Sequence, residues 1–410
     1  MKTKAPAPSP QVLRASQEVS KPTYVIDQRS LVNNLEALQA LAQSSGAKVV
    51  LAQKAFAQPQ LYPLIGRYLD GACASGLWEA QLASGHLPEA CEVITCSPAY
   101  NEGEVEALLP LTHHLDFNSL SQWRTHQAQC LAYKREATRE ICFGLRINPQ
   151  CSTGETPLYD PCAVGSRLGV TQEQLKGASR ADLEGIEGLH FHTLCEQGVE
   201  DLQKTVRAVE EQFGDFLRSS QMSYLNLGGG HWITKEGYDQ EALITLIRYL
   251  SETYQLQVYL EPGEAVAIHS GVLVASVLDL HVNGGVTNAI LDVSATAHMP
   301  DVLEMPYRPD VYLPSGEEAT VSGSRHCYRL TGNTCLAGDQ IGDYCFSRPL
   351  EVGDKLIFND MAHYTMVKTT FFNGVQHPDI MLLTDAGALE LLRSFSFQDY
   401  LFLKQSPNLV

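Results

Sequence analysis

Eight short apolar runs alternate with helix-like segments from residue 48 onward. Most of the runs are continuously hydrophobic rather than alternating, as expected for parallel strands covered on both faces. They occupy 48–55, 71–76, 92–97, 113–119, 140–149, 188–194, 224–230 and 257–263. Several intervening segments carry apolar residues at helical spacing, which predicts amphipathic helices. Eight strands in such an α/β alternation favour a (β/α)8 TIM-type barrel over residues 30–269.

The pattern changes after about residue 270, where β-rich segments follow one another without helical partners. These segments occupy 271–284, 288–296, 355–366 and 379–385. They predict a second, antiparallel β domain, of sandwich-like or barrel-like form, over residues 270–410. The early run 22–29 precedes the first barrel helix. Pairing with the later strands would make the second domain discontinuous in sequence.

The first 21 residues differ from the rest of the chain in composition. Their Pro, Ala and Ser content predicts a disordered tail over residues 1–21. They also lack the apolar centre of a signal peptide, so we expect no secretory leader here.

Composition narrows the classes of partner. The chain has 29 Lys and Arg against 47 Asp and Glu, a formal net charge of −18. This acidic excess argues against nucleic acid, and the lack of an apolar run of about twenty residues argues against a membrane. A cationic ligand is compatible with the charge, although solubility explains it equally well. The eleven cysteines form no Cys-x-x-Cys pair, which predicts no metal site, no disulfide framework and a cytoplasmic location.

In a barrel the chemistry lies at the carboxyl ends of the strands, and Lys54 falls at the first of them. Burial at that position would lower the pKa of its amine. A neutral amine can form a Schiff base with an aldehyde. Alternatively, Lys54 already lies in the following loop and is solvated.

Three further features fall at strand ends: Gly228–Gly230, Glu261 and His192. The glycine N–H groups suit a phosphate, or they simply form a tight turn. Glu261 needs a partner, either a protonated pyridine nitrogen or an arginine. His192 suits stacking on an aromatic cofactor, or it is a hydrogen-bonded core histidine. Together with Lys54 these features supply the four functions that pyridoxal 5'-phosphate requires.

Seven motifs are specific enough to indicate a family. They are AQKAF (52–56), LHFHTLCEQ (189–197), NLGGGHWITKEGYD (226–239), LEPGEAVA (260–267), DVSATAHMPDVLEMPYRP (292–309), GNTCLAGD (332–339) and NDMAHYTMVKTTFFNG (359–374). From about Pro22 to the C-terminal region, the sequence resembles the fold type III pyridoxal-phosphate decarboxylases, the family of ornithine and diaminopimelate decarboxylases. Within that family it is most similar to the branch that acts on carboxynorspermidine and carboxyspermidine.

The resemblance implies a role for each strand-end residue. Lys54 would hold pyridoxal 5'-phosphate covalently as a Schiff base, and His192 would stack on its ring. Glu261 would keep the ring nitrogen protonated. Gly228–Gly230 would bind the phosphate with help from Tyr364.

The resemblance also implies the assembly and the reaction. Cys335, in the GNTC motif, matches the cysteine that reaches the site from the partner subunit in this family. We therefore expect a homodimer with two shared active sites, in which Cys335 protonates the substrate carbon after CO2 departs. The implied activity is decarboxylation of carboxynorspermidine or carboxyspermidine in polyamine biosynthesis.

Two departures from the ornithine and diaminopimelate pattern bear on the substrate. Relatives commonly have Arg after Glu-Pro-Gly, whereas this chain has Glu264, which reverses the charge. Relatives often have Gly-Ser two residues after the stacking histidine, whereas this chain has Leu194-Cys195, which removes a possible phosphate ligand.

The ammonium groups of a polyamine favour carboxylates and carbonyls. We therefore predict Glu264 and Asp301 as substrate ligands, with Asp339 and His298 behind them. Asp301 alternatively caps a turn.

Three other functions stay open at this stage. A decarboxylase for diaminopimelate, ornithine or arginine is disfavoured by Glu264 and the missing Gly-Ser. A non-catalytic pyridoxal-phosphate-binding protein is disfavoured by the second domain and the Cys335 motif. An aldolase-type barrel that uses Lys54 without a cofactor would leave Glu261 and His192 without a role.

Overall fold

The computed structural model describes residues 4–154, 157–322 and 326–405. These residues form two compact units. The barrel unit spans Asn34–Val266, and the β unit comprises the described residues up to Asn33 and from Ala267 onward. Among the described residues, no helix combines the length and the hydrophobicity needed to cross a bilayer.

The elements are numbered in chain order. The strands are β1 (Thr23–Asp27), β2 (Lys48–Ala52), β3 (Gly71–Ala74), β4 (Glu92–Ser97), β5 (His114–Phe117), β6 (Cys142–Arg146), β7 (Ile186–His190), β8 (Tyr224–Asn226), β9 (Gln257–Leu260), β10 (Gly271–Asn283), β11 (Val286–Leu291), β12 (Val311–Tyr312), β13 (His326–Thr331), β14 (Gln340–Phe346), β15 (Lys355–Asn359), β16 (Asp379–Leu383) and β17 (Leu389–Arg393). The α-helices are α1 (Pro10–Glu18), α2 (Gln28–Ser45), α3 (Tyr62–Ile65), α4 (Leu77–His86), α5 (Glu104–Leu108), α6 (Leu120–Glu136), α7 (Gln172–Lys176), α8 (Val199–Leu217), α9 (Gln240–Tyr254), α10 (Glu264–Ala267), α11 (Ala295–His298), α12 (Asp301–Glu304) and α13 (Phe397–Phe402).

The barrel unit is a closed barrel of eight parallel strands in the order β2 to β9. The predicted (β/α)8 fold is therefore confirmed, and each predicted run overlaps one of these strands. Most of the strands end before the runs do, so Lys54 and His192 each lie two residues past a strand and Glu261 lies one residue past. These side chains therefore stand on the loops that follow β2, β7 and β9.

The longer helices around the barrel follow the predicted periodicity, whereas α3 and α5 are only four and five residues long. Helix α8 buries an apolar face that includes Leu202, Val206, Val209 and Phe213. The long connection between β6 and β7 holds only the five-residue α7 as an α-helix among its described residues. Asn34–Val266 therefore forms a barrel whose helical ring is thin at this connection.

The β unit is a nine-stranded sheet with the main order β14-β13-β11-β10-β1-β16-β17, to which β15 and β12 are added beside β10. Strand β1 pairs with β10 and β16, which makes the unit discontinuous in sequence. The sheet is mixed, because β1 runs parallel to β16 and β11 runs parallel to β13. The prediction of an antiparallel sheet is wrong for these two pairs. The strands of each pair are distant in sequence, so no hairpin turn forces them to run antiparallel.

The predicted disordered tail over residues 1–21 is wrong for Pro10–Glu18, which form α1. Pro10 occupies the first helical turn, and the Ser9 side chain accepts a hydrogen bond from the Val12 N–H at 3.2 Å. Val12 and Ala15 are buried in a core cluster of the β unit. Proline at the start of a helix and apolar residues at helical spacing are helix signals that outweigh the composition.

The prediction of no disulfides is also corrected. Cys327 on β13 and Cys345 on β14 face each other across the hairpin and form a disulfide. Eighteen positions separate them in sequence, so only the strand register brings them together. A search for closely spaced cysteine pairs does not detect such a cross-strand pair.

Candidate active site

Lys54 and His192 meet at the carboxyl end of the barrel. The Lys54 Nζ lies 3.1 Å from the His192 Nε2. Burial of the amine is the main cause that lowers the pKa of Lys54 below its ordinary value, and the positive charge of Arg146 adds to it. The residue as a whole remains exposed, so the amine is desolvated by its surroundings yet open to a ligand.

Hydrogen bonding fixes the protonation pattern of this pair. The Gly229 N–H donates to the His192 Nδ1 at 2.9 Å, so this nitrogen carries no proton. Burial is the main cause that holds the pKa of His192 well below its usual range, and the ring is neutral. The proton of a neutral ring must then be on Nε2, which donates to Lys54. The lysine therefore accepts a hydrogen bond as a neutral amine, which is the nucleophilic form.

Glu261 presents a buried carboxylate at the same end of the barrel. It is 6% exposed and follows β9 directly. The Asn226 side chain donates to the Glu261 Oε1 at 2.7 Å, and the His190 Nε2 lies 3.6 Å from Oε2. The glutamate is thus oriented by the ends of β8 and β7. The sequence prediction left a structural arginine open as its partner, but among the described residues no arginine forms an ion pair with it.

The glycine turn after β8 packs tightly against neighbouring loops. A Cβ on Gly229 would lie 2.1 Å from the Glu261 carbonyl oxygen, and one on Gly230 would lie 1.9 Å from that of Leu194. Gly228 donates its N–H to the Asn226 side chain, and Gly229 donates to His192. The structure gives the Gly230 N–H no such partner among the described residues. The three glycines therefore form a tight turn, and the Gly230 N–H is the group of the three that suits an anion.

Glu264, the predicted substrate ligand of the barrel unit, begins α10 and is partly buried. It follows Gly263, whose backbone packs against Ala55 and Ala52 beside Lys54. The structure therefore brings Glu264 to the same end of the barrel as Lys54.

The remaining predicted residues belong to the β unit. Cys335 is exposed in the loop between β13 and β14, where its N–H donates to the Asn373 side chain at 2.7 Å. Tyr364 lies after β15 and has a left-handed backbone, with φ of 48°.

Asp301 and Asp339 are both engaged by their own unit. Asp301 forms an ion pair with Lys368. Asp339 is 3% exposed and accepts a hydrogen bond from the Thr334 hydroxyl at 2.6 Å and one from the Thr296 N–H at 3.2 Å. These contacts make Asp339 the residue that shapes the loop carrying Cys335.

His298 is fully buried in α11. Its Nδ1 accepts a hydrogen bond from the Ser294 N–H at 3.1 Å. Burial, with a smaller contribution from His377, lowers the pKa of His298 to about 3. His298 is therefore a neutral, hydrogen-bonded core histidine. The sequence left this structural role open as an alternative for His192.

Several residues of the barrel site were not predicted. Asn226 and His190 orient Glu261. The thiol of Cys73 lies near both Lys54 and Glu261, and burial, followed by the charge of Glu261, raises the pKa of this thiol well above its usual value. The sequence signal that could have identified Asn226 and His190 is a polar residue within an otherwise apolar strand. His190 lies two positions before His192 and so points to the same side of its strand.

The described residues also contain one group that offers metal-ligand atoms. Cys96, Asp116 and His190 place one such atom each within 4.8 Å of one another. Because His190 also faces Glu261, we treat this group as part of the polar contacts around that carboxylate.

Comparison with known proteins identifies the family. The profile described as "Pyridoxal-dependent decarboxylase, C-terminal sheet domain" matches residues 23–362. The chain belongs to this family of pyridoxal-dependent decarboxylases. Its cofactor is therefore pyridoxal 5'-phosphate, as the four strand-end features predict.

Three relatives within the family cover nearly the whole chain. A carboxynorspermidine/carboxyspermidine decarboxylase of Campylobacter jejuni is 42% identical over 94% of this chain and 98% of its own length. A carboxyaminopropylagmatine decarboxylase of Synechocystis is 44% identical over 92% and 94%. The crystal structure of a C. jejuni carboxynorspermidine decarboxylase complexed with norspermidine superposes with a TM-score of 0.82, at 40% identity, over 94% of this chain and all of that chain.

The donor set at the barrel end fits the cofactor of these decarboxylases. The Lys54 amine, whose pKa burial lowers, suits an aldehyde, and the carboxylate of Glu261 suits a protonated ring nitrogen. The Gly229 N–H holds the His192 ring in one orientation. The Gly230 N–H suits a phosphate oxygen.

Proposed function

We propose that this chain decarboxylates carboxynorspermidine, carboxyspermidine or both, and so releases norspermidine or spermidine in polyamine biosynthesis. The observation that carries the proposal is the full-length similarity to the C. jejuni decarboxylase, at 42% identity. The norspermidine in the related crystal structure supports the same substrate class. The barrel residues Lys54, His192 and Glu261 supply a matching cofactor site.

The chain's residues divide the chemistry as follows. The bound cofactor supplies the electron sink for the bond that breaks when CO2 leaves. Lys54 would hold the cofactor covalently and, when free, would move protons through its amine. His192 would offer its ring face, Glu261 would accept a hydrogen bond from the ring nitrogen, and the Gly230 N–H would donate to the phosphate, for which the resemblance also implies Tyr364.

A homodimer with shared active sites completes the proposal. Cys335 is exposed and lies on a loop shaped by Asp339. We propose that it enters the partner subunit's site and protonates the substrate carbon. Cys335→Ala should therefore decarboxylate slowly and give misprotonated products, and a wild-type rate with normal products would remove Cys335 from the mechanism.

The charge of Glu264 supports a polycationic substrate. A carboxylate near the reacting amine attracts ammonium groups, whereas the arginine common in relatives would attract an anion. Glu264→Arg should raise KM for the carboxy-polyamine, and Glu264→Gln should raise it less because it adds no repulsion. An unchanged KM in both variants would contradict this role.

The Synechocystis relative supports a second candidate substrate, carboxyaminopropylagmatine, because it is 44% identical to this chain. Agmatine ends in a planar guanidinium, which pairs with a carboxylate through two hydrogen bonds, whereas a polyamine ends in an ammonium. The two substrates therefore present the same reacting end and different distal cations.

A decarboxylation assay decides among these substrates. We would measure kcat/KM by CO2 release from carboxynorspermidine, carboxyspermidine and carboxyaminopropylagmatine, with diaminopimelate as the control. We expect the carboxy-polyamines to be preferred over diaminopimelate. The two carboxy-polyamines differ by one methylene, which discriminates by only about 1–3 kcal/mol, so both should react. A preference for diaminopimelate would overturn the proposal.

We also propose a cytoplasmic location. Nine of the eleven cysteines carry free thiols, the state that a reducing compartment maintains. Fractionation of the native cells with immunodetection tests this, and a periplasmic or secreted pool would contradict it.

A further inference from the structure

A line of polar side chains crosses the inside of the barrel next to Glu261. His190, at its centre, is 3% exposed. Its Nδ1 lies 3.2 Å from the Asp116 Oδ2, and its Nε2 lies 3.6 Å from the Glu261 Oε2. The Tyr224 hydroxyl donates to the other oxygen of Asp116, as Asn226 does to that of Glu261. Each ring nitrogen of His190 therefore faces a carboxylate.

Two glycines on neighbouring strands make room for this arrangement. A Cβ on Gly144 would lie 2.3 Å from the Asp116 Oδ1, and one on Gly188 would lie 2.1 Å from the ring of Tyr224. Strands β6 and β7 therefore carry no side chain where Asp116 and Tyr224 pack. The barrel interior is shaped around this buried acid, which an apolar core would exclude.

The balance of charge makes His190 a cation. Among the described residues, no lysine or arginine forms an ion pair with Asp116 or Glu261. Burial alone would lower the pKa of His190, but Glu261, Asp116 and the nearby Cys96 together raise it to about 10. His192 also faces His190 and stays neutral, so it adds no competing charge. One imidazolium thus serves two buried carboxylates.

His114, on the same barrel, shows that a nearby carboxylate does not suffice. It is 7% exposed, and its Nε2 lies 3.9 Å from the Glu92 Oε2. Burial lowers the pKa of His114 despite that neighbour and Asp116. Glu92 is already neutralised by an ion pair with Lys48. The carboxylate that lies closest to His114 therefore already has a cation, whereas those beside His190 form no ion pair with lysine or arginine among the described residues.

We propose that His190 is a positioning residue: as an imidazolium between Asp116 and Glu261, it balances the charge of the Glu261 carboxylate and so leaves on the cofactor's ring nitrogen the proton that Glu261 accepts as a hydrogen bond. A cation beside a carboxylate lowers its proton affinity. A group bound by Glu261 lies farther from His190 and is affected less. This inference rests on the proposed role of Glu261.

The first test reads the charge of His190 directly. We would record histidine NMR spectra of the holoenzyme labelled with 15N-histidine and use His190→Gln to assign the signal. Both ring nitrogens of His190 should stay protonated at pH values well above the ordinary histidine pKa of about 6.5. Titration at or below that value would overturn the proposal. The measurement needs no substrate, so it is independent of the proposed substrate class.

The second test reads the cofactor and the reaction. In substrate-free holoenzyme, His190→Gln should move the pH at which the cofactor's visible absorbance changes by at least about one unit. The variant should lose roughly 10–100-fold in kcat at unchanged KM, the range seen for outer-shell partners of metal ligands. Asp116→Asn should also shift this profile, because it removes one of the two carboxylates beside His190, and it covers the case in which His190→Gln does not fold.

His114→Gln is the matched control, because it also removes a buried barrel histidine. Its absorbance profile should be that of the wild type. An unchanged profile in both His190→Gln and Asp116→Asn, or an equal shift in His114→Gln, would overturn the proposal. Metal analysis of the purified protein tests whether Cys96, Asp116 and His190 bind a metal ion instead. A stoichiometric transition metal there would also overturn it, because a bound histidine cannot be an imidazolium.

Discussion

Two buried histidines, one in each unit, are nearly equal in exposure and opposite in charge. His190 is 3% exposed in the barrel, where two carboxylates raise its pKa to about 10. His298 is fully buried in the β unit, where a backbone N–H and another histidine ring surround it and its pKa falls to about 3. Burial therefore does not decide the state of a titratable side chain, and the charges of its neighbours do.

The same contrast separates the carboxylates of the two units. Glu261 has an amide and an imidazole beside it and no lysine or arginine ion pair among the described residues. Asp301 is paired with Lys368, and Asp339 accepts hydrogen bonds from Thr334 in its own loop and from Thr296 on α11. A carboxylate is available to a cationic ligand only where the protein has not already neutralised it. The β-unit acids thus already have partners in their own unit, and their role as substrate ligands stays a prediction.

The largest expected effect is at Lys54. Lys54→Ala removes the amine that holds the cofactor, so turnover and the absorbance of the covalently bound cofactor should both be abolished. Lys48→Ala is the matched control, since it removes the lysine at the start of β2, whose amine is ion-paired with Glu92. Measurable turnover by Lys54→Ala would remove this residue from the mechanism.

The acid dependence of stability tests the neutral state of His298. Between pH about 3 and 6.5 the unfolded state binds a proton at this residue and the folded state does not. The contribution to stability is therefore complete above the unfolded pKa and falls by about 1.4 kcal/mol per pH unit below it. In urea titrations, His298→Gln should show a shallower loss of unfolding free energy on acidification. Exposed His281→Gln is the control, and equal slopes in both variants would contradict the prediction.

Asp339 separates a structural role from substrate binding. Asp339→Asn replaces the charged acceptor of Thr334 and Thr296 with a neutral amide at a position that is only 3% exposed, which should cost about 1–3 kcal/mol of stability. Thermal unfolding gives that effect, and KM for the carboxy-polyamine should stay near the wild-type value. Asp343→Asn, on the same hairpin but half exposed, is the control and should cost at most about 1 kcal/mol. A large rise in KM without loss of stability would restore Asp339 as a substrate ligand.

The sequence allowed the barrel to be predicted because its signals are local. Continuous apolar runs specify the parallel strands, and the position past each strand places Lys54, His192 and Glu261 at one end. What it did not reveal depends on distant pairing. The parallel strand pairs of the β unit, the Cys327–Cys345 bond and the partnership of Lys368 with Asp301 all join segments that no short motif relates. The helix α1 is different, because its signals were present and composition obscured them.

The smallest expected effect is at the Asp301–Lys368 pair. Lys368 also contacts Glu304, and its side chain is 35% exposed, so the pair with Asp301 should contribute about 0.2–1 kcal/mol. A double-mutant cycle of Asp301→Asn and Lys368→Gln, read by denaturant unfolding, gives this coupling. If Lys368 neutralises Asp301, then Asp301→Asn should leave KM for the carboxy-polyamine unchanged, and Lys368→Gln should lower it by freeing a carboxylate. A rise in KM for Asp301→Asn alone would show that the substrate displaces Lys368, and Asp301 would then belong with Glu261 on the ligand-binding side of the comparison.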